Sequence, residues 1–170
     1  MILPDFLIRA YCEEGMVTPY DPSLVNPASL DVRLGSSLLI ESMESPELIP
    51  YPLYRHSEEN PYLMTPAQFA LAPTMEGFNL PDHIAAQFVL KSSRAREKLN
   101  HLTAGFCDPG WNGSVLTMEL HNVSQLHPFP LWPGKRIGQM VFQFMAAPPL
   151  RSYAQTGRYN GDTTVQQSRG

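Results

Sequence analysis

Prolines are spread along the whole chain, and this spacing limits the folds that the chain can adopt. The 170 residues include 17 prolines and 11 glycines. Proline removes a hydrogen bond from a helix interior and clashes with the preceding turn, so little room is left for long helices. The combined content of proline and glycine, 28 of 170 residues, stays below the roughly 25–30% that is typical of disordered low-complexity chains. The pattern therefore predicts a folded protein of short strands and turns.

Length and charge narrow the class of protein further. A chain of this length matches one domain of roughly 100–200 residues, so we predict a single domain over residues 1–170. The formal net charge is −4 and basic residues form no long run, which argues against a nucleic-acid polymer as partner. No stretch approaches about 18 apolar residues, and charged residues interrupt the N-terminal segment. We expect a cytoplasmic protein without a signal peptide or a membrane span.

The chain has two cysteines, Cys12 and Cys107. They are too few for a disulfide framework and too far apart in sequence for a CxxC motif. We predict that both are buried, inert thiols.

Periodicity predicts one helix and many strands. Residues 4–14 have helical spacing, with Pro4 in the first turn and Gly15 at the end. Beyond them the apolar period is two, which is typical of strands. The strand-like runs are residues 30–34, 38–40, 68–72, 85–90, 101–107, 114–122 and 137–145, with turns predicted at Pro73, Pro81, Asp108-Pro109-Gly110, Asn112-Gly113 and Pro133-Gly134. Residues 41–62 are predicted to be irregular. Short strands with frequent turns favour a β-sandwich or barrel.

Two further segments could contact a ligand. Residues 92–99 predict a short helical turn directly after a strand, and the free N–H groups of such a turn suit a phosphate. Ser92 and Arg96 are four residues apart and would share one face of it. Residues 151–170 have almost no aliphatic side chains, so they form either a frayed tail or an arm that orders on a ligand or a neighbouring subunit.

Two features near the middle of the chain could carry chemistry. Glu119 lies in an apolar strand, where it is either on a solvated face or in a pocket as a general acid or base with a raised pKa. The sequence Asp108-Pro109-Gly110-Trp111 is either a plain turn or a site where Asp108 binds a sugar hydroxyl and Trp111 packs on the sugar or base. The residues alone leave both choices open.

Five motifs in order extend over nearly the whole chain. They are SLDVRLG (29–35), KSSRAR (91–96), TAGFCDPGW (103–111), MELHN (118–122) and GRYNG (157–161). Together with the N-terminal helix, they resemble the successive motifs of the dCTP deaminases, a branch of the dUTPase superfamily.

The resemblance implies a fold, an assembly and a reaction. The fold is mainly β, a distorted jelly roll or β-barrel of the dUTPase type with one N-terminal helix and a short helical turn. The assembly is a homotrimer with active sites between subunits. The reaction is the hydrolytic deamination of dCTP to dUTP and ammonia in pyrimidine deoxynucleotide metabolism. Mg²⁺ is expected to arrive bound to the triphosphate, and dUTP and dTTP are expected as further ligands, dTTP as an inhibitor.

The resemblance also implies roles for single residues. Glu119 matches the glutamate that moves protons between the attacking water and the leaving amine. Ser92 and Arg96 match residues that support the water and the base. Substrate binding is assigned to Lys91 and Ser93 at the phosphates, Asp108 at the sugar, Tyr153 and Arg158 in an arm (151–170) that closes over the triphosphate, and to Ala104, Trp111, Thr117 and Gln166.

No zinc is expected in a deaminase built on this chain. Zinc-dependent nucleobase deaminases need an H-x-E element followed by P-C-x-x-C. His56-Ser57-Glu58 supplies the first element, but the second is missing, so we predict that His56 is an ordinary loop histidine. Protein groups must then activate the water, and Glu119 is the candidate.

The chain departs from the family pattern at three places. One more residue than expected lies between Trp111 and Glu119, and a β-bulge near residues 112–114 would absorb it. Asp162 stands where a glutamine is expected near the phosphates, a role that Gln166 or Gln167 could take. Arg94 occupies a position that is expected to be apolar.

Two other functions stay open from the sequence. One is hydrolysis of dUTP to dUMP and pyrophosphate, alone or after deamination in a bifunctional, dUMP-forming enzyme. The other is a trimer that senses nucleotides without turnover. Glu119 favours deamination, because phosphate hydrolysis needs no carboxylate beside the amine of the base.

Overall fold

The computed structural model describes every residue from Met1 to Gly170, and strands account for far more of them than helices do. The helices are α1 (Asp5–Glu13), α2 (Ser92–Arg96) and α3 (Tyr153–Thr156), with 3-10 turns at Pro22–Leu24 and Leu53–Arg55. The strands are β1 (Val17–Thr18), β2 (Val25–Asn26), β3 (Ser29–Arg33), β4 (Leu38–Ile40), β5 (Ile49–Tyr51), β6 (Tyr62–Met64), β7 (Phe69–Asn79), β8 (Ile84–Leu90), β9 (Leu99–Asn100), β10 (Phe106–Cys107), β11 (Asn112–Asn122), β12 (Phe129–Leu131) and β13 (Arg136–Phe144).

Two antiparallel sheets form the body of the protein. One has the order β5-β4-β7-β11-β9, with β1 also paired to β7, and the other has the order β10-β8-β13-β3-β2. β6 and β12 form a separate pair. A core of 29 buried apolar residues packs inside this β framework. The predicted mainly-β fold is confirmed.

The N-terminal helix forms within one residue of its predicted bounds. Ile8 and Cys12 are its buried residues, one turn apart, and Gly15 ends it with a φ of 97°. Burial raises the pKa of Cys12 and of Cys107 to about 12, as expected for inert thiols. None of the helices is long and apolar enough to cross a membrane.

The turn predicted at Pro73 is wrong, because β7 continues through this residue. Pro73 pairs with Thr117 of β11, and the next paired residue of β7 is Gly77. Residues 74–76 therefore bulge out of the ladder opposite the single residue Leu116. Proline has no N–H to donate and is tolerated at bulges, which explains how the strand passes this position.

The structure also differs from the sequence predictions for residues 101–107 and 41–62. Within the strand predicted over residues 101–107, only β10 at its end is extended. Leu102 and Thr103 have φ values of 53° and 62°, which belong to the left-handed region and turn the chain out of a strand. Residues 41–62, predicted to be irregular, contain the short strand β5 and one of the 3-10 turns.

β11 contains the bulge that was predicted near residues 112–114. Asn112 and Ser114 pair with consecutive residues of β7, so Gly113 has no partner across the ladder. Its φ of 64° lies where glycine is the favoured residue. The bulge is confirmed, and it shifts the register of the rest of β11 by one residue.

Asn122, the last residue of β11, joins two segments inside the protein, residues 64–65 and residues 124–127. It is fully buried, and its amide nitrogen lies 2.9–3.1 Å from the carbonyl oxygens of Met64, Thr65 and His127. Its Oδ1 atom accepts a hydrogen bond of 3.0 Å from the backbone N–H of Ser124. Of these four hydrogen bonds, those to Met64 and Ser124 are fully buried.

We expect Asn122→Ala to lower the free energy of unfolding by about 3 kcal/mol, because it leaves several buried polar groups without partners. Urea unfolding followed by circular dichroism measures the change. Asn60→Ala is the matched control, since Asn60 is exposed and its change should stay within about 0.5 kcal/mol. Equal losses in the two variants would contradict the role of Asn122.

Candidate functional site

A cavity of about 610 Å³ opens where β11, the turn before it and the C-terminal segment meet. Its volume falls in the usual range for small-molecule sites. Seventeen residues line it. Six of them are among the predicted site residues: Asp108, Trp111, Thr117, Glu119, Tyr153 and Gln166.

Glu119 points into the cavity because its neighbours in β11 point into the core. Met118 and Leu120 are buried on one face of the strand, and successive side chains of a strand alternate between faces. Glu119 forms no ion pair and no hydrogen bond to another residue's side chain, and burial raises its pKa. A carboxyl group with a raised pKa is suited both to accept and to donate a proton.

Leu116 does not have the orientation that simple alternation predicts. Strict alternation would place Leu116 on the same face of β11 as Met118, yet it lines the cavity beside Val115 and Thr117. The cause is the bulge in β7 opposite this residue, where residues 74–76 interrupt the ladder. The result is an apolar wall in the cavity, next to Glu119.

The turn before β11 places an exposed aspartate and a buried tryptophan at the cavity. Gly110 has a φ of 83°, so the sharp turn after Asp108 depends on glycine. Trp111 stacks on Phe78 with ring centroids 5.6 Å apart. Its Nε1 atom donates a hydrogen bond of 2.9 Å to the carbonyl oxygen of Tyr159, which joins the turn to the C-terminal segment.

The C-terminal segment lies along the edge of β11 that β7 does not occupy. The N–H of Val115 donates to the carbonyl oxygen of Asp162 at 2.8 Å, and the N–H of Gly161 donates to that of Asn112 at 3.2 Å. Further along, the N–H of Gln166 donates to Thr117 Oγ1 at 3.1 Å. The two predicted alternatives for residues 151–170 were a frayed tail and an arm that orders on a ligand or a neighbouring subunit; in the structure this segment instead contacts β11 of its own chain.

The sequence did not predict helix α3 or the role of Tyr159. The Oγ atom of Ser152 accepts a hydrogen bond of 3.2 Å from the N–H of Ala154, which is the usual way a serine begins a helix. That serine was the available signal for α3. Tyr159 lines the cavity and lies inside the GRYNG motif, but only the folded arm brings it there.

Comparison with known proteins agrees with this geometry. Residues 2–145 match the family model described as dCTP deaminase-like. The chain belongs to the dCTP deaminase-like family. A relative from Kocuria rhizophila is 38% identical over 99% of this chain and 94% of its own length, and one from Thermobifida fusca is 39% identical over 99% and 92%. Both are named "dCTP deaminase, dUMP-forming".

Solved structures share the fold of this family member. The 2'-deoxycytidine 5'-triphosphate deaminase of Agrobacterium tumefaciens superposes with a TM-score of 0.70 at 23% identity, over 85% of this chain and 48% of that chain. The dUTPase of EIAV superposes with a TM-score of 0.51 at 12% identity, over 81% of this chain and 89% of that chain. At these identities the two structures establish the dUTPase-like fold.

Several residues that the family resemblance assigns to the site lie outside the cavity of the single chain. Lys91, Ser92, Ser93, Arg96, Ala104 and Arg158 do not line it. Ser92 and Arg96 are exposed on α2. Arg158 is exposed and its guanidinium contacts the carbonyl oxygen of Gly170. Their assigned roles therefore stay predictions.

Lys91, the first residue of the KSSRAR motif, has a partner in this chain. Its Nζ atom lies 2.7 Å from both carboxylate oxygens of Asp31. Asp31 is almost fully buried and also accepts a hydrogen bond of 2.8 Å from Asn26. Arg136 lies 3.6 Å from the same carboxylate. Lys91 is thus held in place by a charged cluster next to α2.

Asp162, which stands where the family resemblance predicts a glutamine, forms an ion pair within the arm. Its Oδ1 atom lies 2.6 Å from a guanidinium nitrogen of Arg169. Its Oδ2 atom is buried and has no hydrogen-bond partner. The same arginine lies 5.1 Å above the ring of Tyr159. Arg169 therefore compensates the negative charge that Asp162 adds to the cavity.

His56 is a loop histidine, as predicted. Its Nε2 atom lies 2.9 Å from the hydroxyl of Tyr51, and its Nδ1 atom lies 3.1 Å from the carbonyl oxygen of Asn60. No group of three or more His, Cys, Asp or Glu side chains has the arrangement of a metal site. Both ring nitrogens of His56 are engaged inside its own loop.

Proposed function

We propose that this chain is a dCTP deaminase that forms dUMP. In the first step, dCTP and water give dUTP and ammonia; in the second, dUTP and water give dUMP and pyrophosphate. The observation that carries the proposal is Glu119, a half-buried carboxyl group without a side-chain partner inside a nucleotide-sized cavity. The sequence alone favoured dUTP as the final product, and the names of the relatives support dUMP instead.

Glu119 can move both protons of the deamination. A water molecule attacks C4 of cytosine while the carboxylate of Glu119 takes one of its protons and passes it to N3, which gives a tetrahedral intermediate. Glu119 then takes the proton of the new C4 hydroxyl group and donates it to the exocyclic nitrogen. The C4–N4 bond breaks, ammonia leaves, and the oxygen that came from water becomes the uracil carbonyl. The raised pKa of Glu119 suits both transfers.

The turn before β11 is suited to bind the rest of the nucleoside. The carboxylate of Asp108 is exposed at the rim of the cavity and makes no ion pair, so it is available to accept a hydrogen bond from a sugar hydroxyl. The ring of Trp111 forms a rigid wall behind it, because it is stacked and hydrogen-bonded. Mg²⁺ would enter with the triphosphate as part of the substrate.

The cavity of one chain lacks the charges that a triphosphate needs. None of its seventeen lining residues is a lysine, arginine or histidine, while Asp108, Glu119 and Asp162 are acidic. Phosphate groups are bound in proteins by arginine, lysine and N–H groups. We propose that a neighbouring copy in a homotrimer supplies Ser92 and Arg96, with Lys91 and Ser93 of the same motif, to complete each site.

One product assay tests the proposed function. The protein is incubated with dCTP and Mg²⁺, and ammonia, dUTP, dUMP and pyrophosphate are measured together. We expect ammonia, dUMP and pyrophosphate in equal amounts. Ammonia with dUTP alone would restrict the activity to deamination. Pyrophosphate from added dUTP without ammonia from dCTP would support the dUTPase alternative, and tight binding without any product would support the sensor.

A further inference from the structure

A second cavity, of about 550 Å³, lies between α2 and the turn that precedes β13. It shares no lining residue with the first cavity. Its walls carry four cationic side chains and one carboxylate. The cations are Arg94, Arg96, Lys98 and Lys135, and the carboxylate is Glu97. On a chain with a formal net charge of −4, this is a local excess of positive charge.

Lys135 is a buried cation without an anionic partner. The residue is 5% exposed, and it takes part in none of the ion pairs of the chain. Its Nζ atom lies 3.8 Å above the ring of Trp132 and 4.7 Å from the ring of Phe129. Burial, followed by the charge of Arg94, lowers its pKa to about 8. Cation–π contacts offset part of the cost of burying this charge, but they supply no hydrogen-bond acceptor.

Arg94, which also lines this cavity, has one buried donor without an acceptor. One of its terminal nitrogens lies 2.7 Å from Glu97 Oε2. Its Nε atom is buried and has no hydrogen-bond partner. A buried donor without an acceptor costs about 1–3 kcal/mol. The charge of Arg94 also acts on Lys135 and lowers its pKa, so the two cations repel each other, and an oxyanion bound beside them would offset this repulsion.

We propose that this cavity binds a phosphoryl oxyanion through the ammonium group of Lys135 and the guanidinium group of Arg94. Phosphate oxygens accept charge-assisted hydrogen bonds from both kinds of donor. The anion is either inorganic phosphate or pyrophosphate, or the phosphate chain of a nucleotide. Arg94 is also the residue that departs from the apolar position of the family pattern, so this site would be a feature of this chain.

The two tryptophans of the chain provide a separate reporter for each cavity. Trp111 lines the first cavity and Trp132 lines the second, and no other tryptophan is present. The protein is labelled with 5-fluorotryptophan, and the two ¹⁹F signals are assigned with Trp132→Phe. Inorganic phosphate is then titrated at constant ionic strength, with chloride as the balancing anion. This readout does not depend on turnover, so it stays informative even if the proposed activity fails.

We expect phosphate to shift the Trp132 signal saturably. Lys135→Met and Arg94→Leu should each raise the apparent Kd by at least about tenfold, because each removes a charged hydrogen bond. Arg151→Leu is the matched control: it removes one positive charge from an exposed position outside the cavity and should leave the titration unchanged. If both cavity variants unfold, the titration of the unchanged chain still decides the question.

Two further titrations distinguish the possible sources of the anion. Pyrophosphate and dCTP are titrated in the same way, and the species that shifts the Trp132 signal at the lowest concentration identifies the source. The proposal is overturned if no phosphate species moves the signal of the folded protein, or if Lys135→Met titrates like the unchanged chain. A changed oligomeric mass of Lys135→Met, without any effect of phosphate, would instead assign these cations to a contact between copies.

Discussion

Glu119→Gln is expected to release ammonia from dCTP at least about a thousandfold more slowly than the unchanged chain. General acid–base groups contribute about 10²–10⁴-fold to a rate, and a glutamine amide can neither take the proton of the attacking water nor donate one to the leaving amine. The substitution keeps the size of the side chain, so the cavity and the buried neighbours in β11 stay as they are. Ammonia release under saturating dCTP measures the effect.

Nucleotide binding separates this result from a loss of fold. The affinity of Glu119→Gln for dCTP, measured by calorimetry, should stay close to that of the unchanged chain, because Asp108 and Trp111 are untouched. Glu13→Gln is the matched control, since Glu13 is exposed on α1 and should keep full activity. Undiminished ammonia release by Glu119→Gln would remove Glu119 from the proposed mechanism.

The direction of the pKa shift of Glu119 adds a consequence for pH. Burial raises the pKa of this carboxyl group, and the attack of water requires its ionised form. Deamination should therefore decline as the pH falls through a pKa above that of an ordinary glutamate, so the loss of activity begins at a higher pH than solvent-exposed carboxyl groups would produce.

Activity is expected to return when two inactive variants are combined in one trimer. Glu119→Gln and Arg96→Ala, each inactive alone, are co-expressed with different tags, and trimers carrying both tags are purified. If each site takes Glu119 from one copy and Arg96 from the next, every mixed trimer has one intact site, and about one third of the full activity returns. The ammonia assay measures this fraction.

A site built within one chain makes the opposite prediction. No copy in the mixed trimers then contains both residues, and activity stays at the level of the single variants. The control is to mix the two purified variants without co-expression, where stable trimers would exchange few subunits and little activity should return. Absence of activity in doubly tagged trimers would therefore contradict the shared site.

Features that depend on neighbouring residues could be predicted from the sequence. The facing of Glu119 follows from the alternation around Met118 and Leu120, and the bulge at Gly113 follows from one extra residue in a glycine-containing segment. The helix before Gly15 follows from apolar spacing and its end signal. In each case the physical cause lies within one strand or one helical turn.

Features that depend on distant residues could not be predicted. Lys91 is held by Asp31, which lies sixty residues away in sequence. The path of the arm depends on Trp111 and Tyr159, which are 48 residues apart. The continuation of β7 through Pro73 is possible only because its bulge faces Leu116 of another strand. Local patterns contain no information about such pairs.

Two walls of the first cavity, β11 and the C-terminal arm, are held by different numbers of hydrogen bonds, so we expect them to open at different rates. Glu119 lies in a ladder with β7 that extends from residue 112 to residue 121 of β11. The arm is attached to β11 and the turn before it by a few backbone bonds and by single side-chain bonds. Local opening needs only the weaker set to break. We therefore expect the arm to detach and return many times while the sheet stays closed, which would let a nucleotide enter and leave the proposed site while the carboxyl group stays aligned. In a hydrogen-exchange experiment, we expect the backbone amides of the arm to exchange quickly and those around Glu119 to exchange slowly.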